Sequence, residues 1–362
     1  MINQERYLRQ LQLPGFGEEG QKKLTGAKVL VIGAGGLGIP VLQYLTGMGV
    51  GNIGVMDEDV VSLSNLHRQV IYTPQDVGRS KVSCCVPRLQ QLNPEITITG
   101  IPIALSKNNA LEMVAGYDVV VDATDNFTAR YLINDACVIL NKPFIYGALQ
   151  QFEGHVSVFN YQGGPTYRCL YPTPPSGGQI PDCNTAGVLG IVPGLVGSYQ
   201  ALETVKVITG IGKPLSGILQ VFDFLDNSQY SMKLTAKEEN RNIKFLREDT
   251  ILSCNAEPSI SVEELLSWMN EKKPFNLVDV RENHEFAKGH LEKAVPLPLS
   301  TINGKLPELS KNQPWVVICQ QGGRSKKAVD FLKEKDPSLQ LFNLEGGLSD
   351  WTKRLGNKYL VT

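Results

Sequence analysis

Four kinds of residue in this chain sit where they could do chemistry. The first is a glycine run, Gly33-Ala-Gly-Gly-Leu-Gly38, with Gly33, Gly35 and Gly36 at its heart. Glycines let backbone N–H groups approach a phosphate, and the N-terminus of a following helix favours negative charge. Asp57 ends the next apolar segment, where a carboxylate can accept hydrogen bonds from ribose hydroxyls. Together these read as a nucleotide site, with NAD or FAD as the first guess. The second kind argues against a redox cofactor. Ser64-Asn65-Leu66-His67-Arg68-Gln69 and Lys81 bring cations and an amide close behind. Fixed cations suit a triphosphate attacked at its α-phosphate, because charge grows on the leaving pyrophosphate. Taken singly, Arg68 or Lys81 is as easily a surface residue.

The third kind is acidic. Val121-Asp-Ala-Thr-Asp-Asn126 lies at the end of an apolar segment, and Asp122 or Asp125 could hold Mg²⁺ against phosphate oxygens. Asn126 is equally placed to cap the helix that follows. The fourth kind is thiol. Cys183 lies in a stretch rich in proline and glycine just before an apolar helix, where it is either a reactive thiolate or an inert loop thiol. Cys319 follows Trp315-Val-Val-Ile318 and precedes Gln-Gln-Gly-Gly-Arg324-Ser325. Converging N–H groups, a helix N-terminus and Arg324 nearby would suit a thiolate or persulfide there.

The elements that must hold these residues follow from periodicity. Lys28–Ile32, Asn52–Met56 and Tyr117–Val121 are short apolar runs that read as buried parallel strands. Leu37, Val41, Leu45 and Met48 recur at helical spacing, and Thr128–Asn141 reads as a helix. Strand and helix in alternation predict a doubly wound α/β sheet. Gly187–Ile211 reads as a buried helix, not a membrane span. Residues 237–258 are charged and weakly patterned and read as a linker, so residues 1–236 and 259–362 form two domains. Ser261 and Glu264 open a helix in the second, a small α/β domain.

With 362 residues and a formal net charge of -1, the chain offers no global field for nucleic acid or for a membrane surface. Seven cysteines without a signal segment point to a reducing cytoplasm, so the localisation reads as cytoplasmic.

Arg6-Tyr-Leu-Arg9-Gln10, the glycine run, Asp57-Glu-Asp59, Ser64–Arg68, Lys81 and Thr124-Asp-Asn126, taken in order, resemble the MoeB/ThiF/HesA group, bacterial relatives of ubiquitin-activating enzymes. The resemblance implies a Rossmann-like adenylation domain with ATP and Mg²⁺ as cofactors. Gly36, Asp57, Asn65, Arg68, Lys81 and Asp125 would line the ATP site, and Asp125 would be the Mg²⁺ ligand. Arg9 would reach ATP from the neighbouring subunit of a homodimer. The implied partner is a ubiquitin-like sulfur-carrier protein ending in Gly-Gly, whose C-terminal carboxylate is adenylated. Cys183 matches the cysteine loop of that group and would attack the activated carrier.

Residues 259–362 resemble a rhodanese through Val278–Glu282, Gly289–Leu291, Ala294–Pro296, Cys319–Arg324 and Leu344–Leu348. This implies sulfur held as a persulfide on Cys319, supplied by an upstream donor such as a cysteine desulfurase. Asp279 and Arg281 would support the fold. Many relatives of the first domain hold zinc with two Cys-x-x-Cys pairs. Here only Cys169 remains of the first pair and residues 235–245 hold no cysteine, so no zinc is expected. A dinucleotide-dependent oxidoreductase with a sulfur-sensing domain, or a non-catalytic carrier-binding scaffold, are the competing readings. The pathway stays open between molybdenum cofactor, thiamine and tRNA thiolation.

Overall fold

The computed structural model describes residues 3–174, 187–247, 259–302, 312–336 and 338–361. The chain divides into two compact units, Met1–Ser253 and Cys254–Thr362.

The first unit opens with α1 (Gln4–Leu11) and α2 (Gly17–Gly26). Then β1 (Lys28–Ile32), α3 (Gly38–Met48), β2 (Asn52–Met56), α4 (Lys81–Leu92) and β3 (Thr97–Ile101) build one half of the sheet. After α5 (Ala110–Ala115) come β4 (Val119–Asp122), α6 (Phe127–Ile139) and β5 (Phe144–Gln150). The sheet is completed by β6 (Glu153–Phe159), β7 (Ile218–Asp223) and β8 (Ser228–Lys233), with α7 (Tyr167–Leu170) and α8 (Ile191–Thr209) between β6 and β7. Strand order is β3-β2-β1-β4-β5-β6-β7-β8. The first five strands run parallel and the last three pair antiparallel.

The apolar run of β1 exists because both faces of the sheet are covered. Val29 and Val31 belong to one core with α3 and α8, while Leu30 and Ile32 belong to another with α6. The helix expected over Thr128–Asn141 begins one residue earlier, because the Asn126 side chain accepts the Ala129 N–H (2.8 Å) and caps it.

Two sequence expectations change here. The α8 segment is not wholly buried: Val192, Val196 and Val205 face the core, but Ile191, Leu195, Tyr199 and Leu202 form an exposed apolar stripe. No described helix is long and apolar enough to cross a membrane. The segment read as the start of a linker is packed over 237–247. Asn240 is buried and donates to the Arg168 carbonyl oxygen (3.0 Å), and Leu246 enters the core beside Tyr131 and Tyr167.

In the second unit, β9 (Ser259–Ile260) leads into α9 (Val262–Asn270), whose first turn is capped by Ser261. Then follow β10 (Asn276–Asp279), α10 (Asn283–Phe286), β11 (His290–Leu291) and β12 (Val295–Pro296). The chain continues through β13 (Trp315–Ile318), α11 (Gly323–Lys335), β14 (Leu341–Leu344), α12 (Gly347–Leu355) and β15 (Leu360–Val361). Five of these strands form a parallel sheet in the order β12-β10-β13-β14-β9.

Candidate active site

From β1 the chain winds outward to β2 and β3, then returns to place β4 on the other side of β1. The carboxyl ends of β1 and β4 therefore flank a topological switch point, where open α/β sheets form their crevice. Ile32 pairs with Asp122 across it. The glycine run leaves β1 and the 123–126 segment leaves β4, so both open into the same crevice. Gly33 has φ 105, and a Cβ there would lie 2.5 Å from the Ala123 carbonyl oxygen. Only glycine lets the two loops approach so closely. A Cβ on Gly36 would meet Pro193 of α8 at 3.0 Å and the Arg68 side chain at 3.6 Å. The cradle is thus floored by backbone and walled by Arg68 and Pro193.

Acidic and basic groups clasp this loop. Asp57 accepts the Ala34 N–H through Oδ2 (2.7 Å) and the Asp59 N–H through Oδ1 (2.8 Å). Lys81, buried at the start of α4, lies 2.7 Å from Asp59 and 3.6 Å from Asp57. Asp57 is thus a brace of the glycine loop as well as a candidate ribose acceptor. The Tyr72 hydroxyl donates to the Ala34 carbonyl oxygen (3.0 Å), and burial keeps this phenol protonated. Asn65 Oδ1 accepts the Ser62 N–H, and the Ser64 hydroxyl pairs with that of Ser62 (2.8 Å). The Ser64 carbonyl oxygen accepts from Arg68 Nη1 (2.9 Å). Arg68 is therefore held by its own turn and stays half-buried beside the cradle.

The acidic candidates separate cleanly. Asp122 is fully buried, with Oδ1 taken by Thr124 and Oδ2 by Arg130 Nε (3.0 Å). Both of its oxygens are engaged inside the fold. Asp125 is exposed at the crevice mouth, and Asn126 is committed to its cap. An exposed carboxylate beside a glycine cradle fits a hard divalent cation bridging to phosphate. Arg9 is exposed on α1 and makes no hydrogen bond or ion pair with the glycine run among the described residues. Gln69 closes the Ser64–Gln69 segment but has no role of its own from sequence. It is 4% exposed, packs against Gly35, and its Oε1 has no hydrogen-bond partner among the described residues. Its burial is what the spacing alone does not reveal.

In the second unit Cys319 is buried at the floor of the loop between β13 and α11. Its Sγ accepts the Gly322 N–H (3.1 Å). The Ser325 hydroxyl lies 3.2 Å from the sulfur and 3.0 Å from the Gly322 carbonyl oxygen, so one proton serves two acceptors. Arg324 lies beside the loop. Among the described contacts its guanidinium does not donate to the sulfur but forks onto Glu285, at 2.6 and 2.7 Å. That fork holds the Glu285 carboxyl down at about 2. Arg281 forks onto Asp279 and donates to the Gly289 carbonyl oxygen (2.7 Å), which is a structural duty.

Cys183 and Cys254 lie outside the described residues. Cys84, Cys85 and Cys137 are buried in the core, and burial pushes the Cys85 thiol up to about 12 and raises that of Cys137 as well. No described cluster of His, Cys, Asp and Glu could hold a metal ion. Cys169 is half-buried and accepts the Lys237 N–H (3.3 Å), so the 166–169 turn and the start of the 237–247 segment meet through a thiol and a backbone amide. One thiol does not make the four-ligand set that zinc requires.

Against known proteins, residues 7–244 match the ThiF family and residues 261–354 the rhodanese-like domain. The adenylyltransferase and sulfurtransferase MOCS3-1 of Zea mays is 39% identical over 378 residues, spanning 96% of this chain and 81% of its own length. The probable adenylyltransferase/sulfurtransferase MoeZ of Mycobacterium tuberculosis is 39% identical over 97% of this chain and 93% of its own. The sulfur carrier protein adenylyltransferase of Thermus thermophilus is 51% identical over 66% of this chain and 89% of its own. Among solved structures, the microcin C7 biosynthetic enzyme MccB with N-formylated MccA superposes with a TM-score of 0.59 at 23% identity, covering 67% of this chain and 75% of that one. The E. coli MccB structure with ATP gives 0.55 at 20%, over 63% and 74%. These two likenesses carry the fold. A glycine cradle at the switch point of one sheet and a cysteine loop in the other unit accordingly find their place together: the chain belongs to the ThiF family, extended by a rhodanese-like domain, and is an adenylyltransferase and sulfurtransferase.

Proposed function

We propose that this chain adenylates the C-terminal glycine of a ubiquitin-like sulfur-carrier protein and then converts it to a thiocarboxylate with sulfur held on Cys319. One observation carries the reading: the glycine cradle, the Lys81–Asp57–Asp59 clasp and the exposed Asp125 converge on the same crevice. Relatives named as acting on a sulfur carrier and on molybdopterin synthase support the choice of acceptor.

In the first step the carrier carboxylate oxygen attacks the α-phosphorus of ATP. The bond from that phosphorus to the bridging oxygen breaks, and pyrophosphate leaves with the electron pair. In this reading the cradle amides orient the phosphates, and Arg68 and Lys81 stabilise the departing charge. Asp125 is the residue that would hold Mg²⁺, whose chemistry there is to neutralise phosphate charge. Arg9 joins from the neighbouring subunit of a homodimer. A free carboxylate is inert to sulfur nucleophiles, and adenylation gives it a leaving group. The outer sulfur of a Cys319 persulfide then attacks the acyl carbon, and AMP leaves. Cys183 or another thiol attacks the inner sulfur of the acyl disulfide, releasing the thiocarboxylate and leaving a disulfide with Cys319. An external dithiol must first reduce that disulfide and free the Cys319 thiolate, and a cysteine desulfurase is the class of enzyme that would then reload the sulfur. One chain carrying both activities raises the effective concentration of donor at acceptor. The domains we assign are 1–236, to which the 237–247 segment is packed, and 259–362.

The test is ATP–pyrophosphate exchange with candidate carriers ending in Gly-Gly. Exchange should need a carrier and vanish in Asp125→Ala. ATP binding without exchange for any carrier would sink the adenylation reading.

A further inference from the structure

The Cys319 loop has two arginines at its rim, and neither is free. Arg281 is forked onto Asp279. Arg324 lies close enough to Cys319 to interact with it electrostatically, yet each of its terminal nitrogens donates one N–H to Glu285, which orients the fork towards that carboxylate. Glu285 comes from α10, and the same Oε2 that binds Arg324 also accepts the Glu282 N–H (3.1 Å). The carboxylate is therefore fixed by its own helix turn before it meets the arginine. The donors that do reach the sulfur, the Gly322 N–H and the Ser325 hydroxyl, are uncharged. The residues over the loop, Gln320 and Gln321, are exposed amides.

A guanidinium beside a nucleophilic sulfur would recruit a dianionic donor such as thiosulfate, since its fork matches paired oxygens. With such a donor the Cys319 thiolate attacks the outer sulfur, the S–S bond of thiosulfate breaks, and sulfite leaves with the electron pair. A cysteine persulfide on a protein brings less charge: the thiolate attacks its terminal sulfur and the donor thiolate leaves. We propose that Glu285 is a specificity residue which withholds Arg324 from small anionic sulfur donors and so biases Cys319 towards a protein-borne persulfide. This rests on Cys319 being the sulfur-carrying residue.

The experiment uses the full chain and measures thiocyanate formed from thiosulfate and cyanide, with cyanide taking the outer sulfur from the persulfide. Glu285→Gln should lower KM for thiosulfate by about fivefold, the size of one partly exposed charge interaction, and change kcat little. Arg324→Gln combined with Glu285→Gln should return KM to that of the parent. Glu285→Asp, which keeps the charge, should stay near the parent value and guards against a folding artefact. Lys327, one turn along α11, is the same in every variant, so its effect cancels. An unchanged KM in Glu285→Gln, or the same fall without Arg324, would overturn the proposal. Thiocyanate formation that survives Cys319→Ser, with no sulfur adduct on Cys319 by mass spectrometry, would instead remove the reading beneath it.

Discussion

The Arg168 guanidinium is fully buried against the Asp135 carboxylate, with Nε 2.7 Å from Oδ1 and Nη2 2.8 Å from Oδ2. It also stacks over the Tyr131 ring at 4.8 Å, and its carbonyl oxygen accepts from Asn240. The Tyr131 hydroxyl in turn donates to the carbonyl oxygens of Tyr171 and Thr173. This node joins α6, α7 and the 237–247 segment. Breaking a buried pair strands the remaining charge. Arg168→Met should therefore cost about 3–5 kcal/mol in urea unfolding. A chelator should leave the unfolding of the parent protein unchanged; a chelator-dependent midpoint would show a metal holding this region.

The crevice predicts a split between two glycines. Gly33→Ala puts a Cβ on backbone at a left-handed φ, so the protein should be poorly folded. Gly36→Ala meets only Pro193 and Arg68 side chains. It should fold normally by circular dichroism yet lose ATP–pyrophosphate exchange. Equal loss of fold in both would contradict the cradle.

Asp125→Ala removes an exposed carboxylate that supports no other described contact. Its melting temperature should match the parent, while exchange falls by about a hundredfold or more, the scale for removing one charge-stabilising group from a transition state. A large drop in melting temperature would make Asp125 structural.

Ser325→Ala deletes a hydroxyl that donates to the Cys319 sulfur while leaving the Gly322 N–H in place. Sulfur transfer should slow by roughly tenfold, about the value of a charge-assisted hydrogen bond. Adenylation, which belongs to the other unit, should be untouched. A parallel loss of pyrophosphate exchange would break that division of labour.

The Glu285 carboxyl, lowered to about 2 by Arg324, makes a pH prediction. A carboxyl depressed on folding contributes stability above its unfolded value, and loses it as pH falls through the folded value. The stability difference between the parent and Glu285→Gln should be constant from neutrality to about pH 5 and shrink below pH 4. The pair is partly exposed, so the difference is small, under about 1 kcal/mol. A difference that titrates near neutrality would mean the fork does not form in solution.

Residues whose roles are set by near neighbours were legible in the sequence. The Gly33–Gly38 run carries its strand before it and its helix after it, and Cys319 through Ser325 is one contiguous loop. Asn126 as a cap follows from one helix start. What the sequence hid depends on long-range closure. Glu285 meets Arg324 across a separation of 39 residues, and a glutamate in a short helical turn is by default a surface residue. The burial of Gln69 and the packing of Leu246 depend on which helix closes over them. The exposed face of α8 was invisible because apolar residues run nearly all round that helix, and only the finished packing shows which side is left open.

The clasp around the glycine loop sets an electrostatic condition on what enters. Asp57, Asp59 and Asp125 stand against Lys81 and Arg68, one carboxylate more than cations. With Asp57 and Asp59 held by Lys81, the carboxylate that a bare nucleotide polyanion would face is Asp125, whereas its divalent complex would arrive with much of that charge already cancelled. Uncomplexed ATP in excess should then compete poorly with its magnesium complex, and the enzyme would read the cell's free divalent ion level through the form of nucleotide it admits.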